Sequence, residues 1–267
     1  MFLADYHTHS LCSPDSSAPL VQMAQAALDA GMDELCLTDH CDLLSADGKL
    51  DLSFRWEGVE EQLAQARAQF AGRLPIRMGL ELGEPWEAPQ EAARIVSHPE
   101  LDFVIGSVHN QGRAAGGVDF YYIDYRGEEA CYTALDDYFS CMEALAALDC
   151  YDVLGHVIYP LRYMNGRDGN HVTLDRYTER IRSIFRTVIA KGKGIEVNTC
   201  RGRSVEDWRS ILALYRSCGG TLVTLGSDAH SPGDVAKGLP AAARLLGEMG
   251  FDSIAVYERR QPKLVKL

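Results

Sequence analysis

Residues 2–38 read FLADYHTHSLCSPDSSAPLVQMAQAALDAGMDELCLT. Phe2–Tyr6 is a short apolar-rich run of strand character, and Glu34–Thr38 is a second. Between them Leu20, Met23, Ala24, Ala27 and Leu28 recur at i, i+3, i+4, i+7 and i+8, the stripe of an amphipathic helix, and Gly31 stops it. A strand, a helix and a strand in so short a span make one crossover unit with parallel strands.

The unit repeats to the end of the chain. Further strand patterns occupy Ile76–Leu82, Asp102–Ser107, Asp152–Gly155, Gly194–Asn198 and Thr221–Leu225, and Ser253–Val256 adds one more short run. Helical patterns fall between them, at roughly Trp56–Phe70, Glu91–Val96, Tyr132–Leu148, Leu174–Ala190, Val205–Arg216 and Ala241–Met249. About seven such units without a linker predict an α/β fold in one domain over residues 1–267, a parallel barrel wrapped by helices. An open doubly wound sheet is the alternative, but no Gly-x-Gly-x-x-Gly turn follows the first strand. Asn110–Gly127, rich in Gly and aromatics, reads as a long loop of the kind that covers active sites.

Composition narrows the function. With 267 residues, 46% hydrophobic, the chain can bury a sizeable core. There is no apolar run long enough for a membrane span and no export signal, so the expectation is a cytoplasmic protein. The eight cysteines form no Cys-x-x-Cys pair and read as reduced thiols. A formal net charge of −12 opposes a nucleic-acid partner, whose backbone demands a basic surface, but not a small phosphorylated substrate.

Chemistry enters at the carboxyl ends of the strands. His7, His9 and Asp15 belong to or follow the first, and His40 follows the second. Glu81 closes the third, His109 the fourth and His156 the fifth, while Asp228 and His230 follow the seventh. In a parallel barrel that rim presents the reactive groups. Residues i and i+2 on an extended segment face one side, so His7 with His9, and Asp228 with His230, can each grip one ion. Imidazole and carboxylate suit zinc, iron and manganese. Singly, each residue has a plainer role, as a cap, a solvated charge or a buried histidine. Nine at one rim do not. His98 and His171 lie away from strand ends and read as ordinary surface histidines.

The motifs Asp5-Tyr-His7-Thr-His9-Ser10, Leu37-Thr-Asp-His40, Gly79-Leu-Glu81, Gly106-Ser-Val-His109, Gly155-His156 and Gly226-Ser-Asp228-Ala-His230 resemble those of the polymerase-and-histidinol-phosphatase (PHP) superfamily, in the same order. Asp15, Glu196-Val-Asn-Thr199 and the closing Tyr257-Glu-Arg-Arg-Gln-Pro262 resemble the histidinol-phosphatase branch. The resemblance implies a distorted (β/α)7 TIM-like barrel with three divalent or transition metal ions (Zn, Fe or Mn). It implies a first ion on His7, His9, Glu81 and Asp228, a second on Glu81, His109 and His156, and a third on Asp15, His40 and His230. Asp15 stands where some relatives carry His. Ile158 and Cys200 replace an Asp and a Ser common in relatives that hydrolyse histidinol phosphate.

The expected chemistry is hydrolysis of a small phosphate monoester, foremost L-histidinol phosphate, to an alcohol and inorganic phosphate. Two ions sharing Glu81 would lie about 3.5–4 Å apart and lower the pKa of a shared water toward about 7. Arg162 and Arg203 are the candidate phosphate-binding residues, with Arg201 a weaker third. Asp15 or a water on an ion could protonate the leaving alkoxide. Gln111 and the tyrosines of the long loop are candidates for contacting the organic part of the substrate. The competing readings are a phosphatase for another small ester or nucleotide, a PHP-type exonuclease and an inactive binding module.

Overall fold

A computed structural model describes all 267 residues. Strands β1 (Ala4–Thr8), β2 (Glu34–Leu37), β3 (His40–Asp42), β4 (Ile76–Gly83), β5 (Phe103–Ser107), β6 (Val153–Leu154), β7 (Gly194–Asn198) and β8 (Val223–Gly226) form one parallel sheet. Its order is β1-β2-β4-β5-β6-β7-β8, with β3 also paired to β4. Helices α1 (Leu20–Asp29), α2 (Glu57–Phe70), α3 (Pro89–Val96), α4 (Glu128–Ala146), α5 (Thr178–Ala190), α6 (Trp208–Ser217) and α7 (Leu239–Glu248) follow in the connections. The expected distorted seven-stranded barrel is therefore present. One continuous core of 74 buried apolar residues joins sheet and helices.

The helices form where the apolar stripe can reach that core. On α1, Leu20, Met23, Ala24 and Ala27 are buried, and on α6, Trp208, Ile211, Leu212 and Tyr215. Each fully buried large side chain contributes roughly 1.5–3 kcal/mol of transfer free energy.

Two local departures shape the site. After Leu37 the strand breaks: the Thr38 N–H bonds to Thr8 O at 2.8 Å, and the Asp39 carbonyl then accepts from Glu81 N–H at 3.1 Å. The chain thus leaves β1 but stays beside β4, and β3 resumes the β2–β4 register with His40 opposite Glu81. The barrel closes between β8 and β1 with a single bridge, Thr8 to Ala229. Along the rest of that seam the buried Asp5 carboxylate stands in for ladder bonds. It accepts from Ser227 N–H (2.9 Å), Ser227 O–H (2.6 Å) and Ala236 N–H (2.9 Å).

The short run at Ser253–Val256 is not another strand of the barrel. It belongs to an antiparallel hairpin of β9 (Ser253–Glu258) and β10 (Gln261–Lys266). The hairpin packs at the amino ends of the strands. Its turn residues Arg259 and Arg260 donate main-chain N–H groups to Asp102, just before β5, and Tyr257 N–H bonds to the Tyr6 hydroxyl at 2.8 Å. The opposite end of the barrel is left for chemistry.

The loop Asn110–Gly127 contains two short 3₁₀ turns, at Arg113–Ala115 and Phe120–Tyr122. It is fastened to residues 44–50: Asn110 Nδ2 donates to Ser45 O and Gly117 O, both at 2.8 Å. Gly48 and Gly117 touch backbone to backbone. A Cβ on Gly48 would stand 2.8 Å from Gly117 O, and its φ of +79° also favours glycine.

Candidate metal centre

Glu81 ends up in the middle of the carboxyl-side mouth, almost completely buried. Its two oxygens face different partners. Oε2 lies 3.1 Å from His7 Nε2, 3.6 Å from His9 Nε2 and 3.2 Å from His40 Nδ1. Oε1 lies 3.1 Å from His109 Nε2 and 2.9 Å from His156 Nε2, and accepts from the Ser107 hydroxyl at 2.7 Å. Asp228 Oδ1 closes the first group at 3.8 Å from His7 Nε2 and 3.7 Å from His9 Nε2. At the outer edge Asp15, half exposed, reaches His230 Nε2 at 2.8 Å and His40 Nε2 at 3.7 Å. The structure thus brings all nine residues singled out in the sequence around one mouth, and His98 pairs with Glu60 elsewhere. His9 also stacks between His40 and His230, at ring separations of 4.4 and 4.1 Å, so it stands among two of the groups.

These atoms fit cations by a test independent of any relative. His7 Nε2, His9 Nε2, His40 Nδ1 and Glu81 Oε2 are buried with no hydrogen-bond partner. Leaving such groups unmet costs about 1–3 kcal/mol each. Potential ion-binding sets converge as His7–His9–Glu81, Glu81–His109–His156 and His9–His40–His230. Imidazole nitrogen and carboxylate oxygen in this number are donors for zinc, iron or manganese.

Electrostatics without an ion show the same tension. Burial opposes charge on Glu81, yet His7, His109 and His40 hold it well below the usual carboxylate range. Burial, with His40 and His230 beside it, pushes His9 down to about 3. Burial disfavours charge on His40 too, but Asp42 and Glu81 raise it to about 9.

Several partners were missed in the sequence. Asp42 meets His109 Nδ1 at 2.9 Å. Glu196 meets His7 Nδ1 at 2.6 Å. Asn198 donates to Asp228 Oδ2 at 3.2 Å and accepts from Arg162 at 2.6 Å. Only Glu196 and Asn198 gave any signal, as part of the Glu196-Val-Asn-Thr199 motif, and nothing in that motif shows what lies across the barrel.

The candidate arginines separate. Arg162, at the start of a π-type turn (Arg162–Arg167), is partly buried, bonds to Asp228 Oδ2 at 2.8 Å and lies over the Tyr159 ring. Arg201 reaches His230 Nδ1 at 3.0 Å and the Asp228 carbonyl at 3.1 Å. Both line the mouth, a cavity of about 1020 Å³. Arg203 turns away, binding the Cys200 carbonyl at 3.1 Å, and lines a neighbouring cavity of about 1340 Å³. The cause is local: Cys200 (φ 48°) and Arg201 (φ 58°) take left-handed conformations that reverse the chain. Asp228 (φ 61°) does likewise, its N–H bonded to His7 O at 2.9 Å. Of the long loop, Tyr121 and Tyr122 line the mouth, Tyr125 is buried with its hydroxyl on Phe120 O, and Gln111 is not among the lining residues.

Comparison with known proteins agrees with this geometry. The PHP domain family model matches residues 5–200. The histidinol-phosphatase of Lactococcus lactis is 27% identical, the alignment covering 95% of this chain and 93% of that protein. A probable histidinol-phosphatase of Deinococcus radiodurans is 30% identical over 97% of this chain and 98% of its own. The crystal structure of the L. lactis histidinol phosphate phosphatase, complexed with Zn, L-histidinol and phosphate, superimposes with a TM-score of 0.82, at 25% identity and 98% coverage of both chains.

Proposed function

We propose, on the premise that this chain belongs to the PHP domain family, that it is a metal-dependent phosphatase hydrolysing L-histidinol phosphate to L-histidinol and inorganic phosphate. The observation that carries the reading is the split carboxylate of Glu81, with unpartnered histidine nitrogens on its Oε2 side. In this reading His7, His9, Glu81 and Asp228 would hold one ion, Glu81, His109 and His156 a second, and Asp15, His40 and His230 a third. Zinc, iron and manganese all suit the donors. Bound ions would supply Lewis acidity, making water nucleophilic at neutral pH and compensating charge on the phosphoryl oxygens.

The chain's own residues do the rest. Arg162 and Arg201 flank Asp228 and present planar donors to phosphate oxygens. Arg162 is held in aim by Asn198 Oδ1 and Asp228, so little orientation remains to be fixed when substrate arrives. Partial burial raises the Asp15 carboxyl, but the hydrogen bond from His230 and the charge of His40 bring it down to about 2. As a ligand of an ion Asp15 would be ionised whatever its metal-free value, so the proton for the departing alkoxide would come from water. Tyr121 and Tyr122 provide aromatic wall for the organic part.

A bulkier phosphate ester or nucleotide is the second reading, favoured by the adjoining cavity that shares Arg162, Arg201 and Asp228 with the mouth. The reading further implies a cytoplasmic step of histidine synthesis, with no nucleic-acid or membrane partner. No helix of the chain is long and apolar enough to cross a membrane. The test is elemental analysis of metal-replete protein joined to turnover of a phosphate-ester panel containing histidinol phosphate, nucleotides and an aryl phosphate. Selective turnover of histidinol phosphate supports the first reading and broad turnover the second. Glu81→Ala should lose bound metal and nearly all turnover, and retention of both would defeat the mechanism.

A further inference from the structure

Glu196, fully buried on β7, gives its two oxygens to different halves of the centre. Oε1 lies 2.6 Å from His7 Nδ1, and Oε2 accepts the main-chain N–H of His156 at 3.0 Å. Asn198, two residues on, steadies Oε1 through Nδ2 at 3.1 Å. The first contact sets a tautomer. A proton held on Nδ1 for the carboxylate leaves Nε2 of neutral His7 as a lone pair, and Nε2 is the atom facing Glu81 Oε2 without a partner. The second contact fixes the backbone of His156, whose Nε2 faces Glu81 Oε1 at 2.9 Å. Even β8 is shaped for this approach: a Cβ on Gly226 would stand 2.3 Å from Glu196 Oε1 and 2.5 Å from His7 Cβ.

We propose that Glu196 is a positioning residue that ties the His7 half and the His156 half of the centre together, so that both are set by one carboxylate. This inference rests on reading the cluster as an ion site. Its chemistry makes a sharp demand, because a carboxylate accepts on both oxygens whereas an amide accepts on one. Glu196→Gln therefore keeps the shape but must give up either His7 Nδ1–H or His156 N–H.

The experiment strips the purified protein of metal, reloads it with zinc and challenges it with a graded chelator. Zinc per chain, steady-state kinetics and unfolding of the metal-free form are read for wild type and variant. Glu196→Gln is expected to release zinc at about 10–100-fold lower chelator strength, the usual scale for losing an outer partner of a ligating histidine. kcat falls with the lost zinc, KM of the loaded fraction stays close to wild type, and the metal-free form, left with one unmet buried N–H, loses less stability than the zinc-loaded form. Zinc retention equal to wild type overturns the proposal. So does a loss of metal-free stability that accounts for the zinc loss, since that is a structural role alone. If Glu196→Gln does not fold, Glu196→Asp, one methylene too short to span both partners, takes its place in the same series with the same expected and overturning results. Wild-type protein that takes up no zinc, iron or manganese would end the ion-site reading instead, a separate outcome.

Discussion

Replacing Asp5 by alanine should unfasten the barrel seam, and the cost follows from the bonds it makes. Asp5 is fully buried and accepts from Ser227 N–H, Ser227 O–H and Ala236 N–H. The Ser227 hydroxyl can rotate, but the two main-chain N–H groups are left without an acceptor, at about 1–3 kcal/mol each. Relief from burying the carboxylate offsets part of this, so the net loss is about 2–4 kcal/mol, a fall in Tm of roughly 4–16 °C for a chain of this size. Burial holds the Asp5 carboxyl above the usual range despite its hydrogen bonds. The fold thus favours the protonated form. That contribution is complete below the ordinary carboxylate value and is lost as pH rises through the elevated native one, so the gap between wild type and Asp5→Ala narrows with rising pH. Far-UV circular dichroism melts of the metal-free proteins at several pH values measure both effects. A variant within about 0.5 kcal/mol of wild type throughout, the scale of an indifferent surface change, would refute the account.

Other expectations follow from the mouth. Arg162→Met should lower kcat/KM for a phosphate ester about a hundredfold or more with zinc content kept, and an unchanged kcat/KM would remove Arg162 from phosphate binding. Burial opposes protonation of His7 and His109, but Glu196 and Glu81 around the first, and Asp42 and Glu81 around the second, hold both well above the usual histidine range. Zinc must therefore displace protons, and its apparent affinity should fall as pH is lowered. Calorimetry in two buffers of different ionisation heat counts those protons, and a count of zero contradicts the pairing. Removing metal with a chelator should abolish turnover, and adding back zinc, manganese or iron should restore it; activity undiminished in exhaustively stripped protein would sink metal dependence.

The sequence exposed what is local and left hidden what lies across the barrel. His7, His9, His109 and His156 could be found because each is attached to a strand end, and strand ends are legible from apolar runs bounded by loops. Glu196 sits inside such a run, Gly194–Asn198, and its partner His7 is 189 residues away. Nothing in the period of β7 distinguishes a positioning carboxylate from a buried ion-pair partner. β3 is three residues long, too short for any period, and exists because the Asp39 carbonyl carries the pairing with β4 on past the break from β1. The hairpin was hidden for a related reason. Its turn is Arg259-Arg260 with φ of 48° and 64°, without the Asn-Gly that advertises such a turn. Asp102, remote in sequence, accepts the main-chain N–H groups of both arginines and holds the turn in place.

The two ends of the barrel divide the charged residues by purpose. At the amino end Glu34 meets Arg77, and Asp152 meets Arg260, so each buried acid has a cation of its own. At the carboxyl end Glu81 is surrounded by five histidines, Asp228 by three together with one arginine, and buried ring nitrogens remain without partners. Arg77 Nε is the one unmet atom of these amino-end pairs, whereas at the carboxyl end several unmet atoms converge on one another. Charge alone would not separate the two ends, because both are rich in acids. The convergence of unmet atoms does, and it puts reactivity at the carboxyl end.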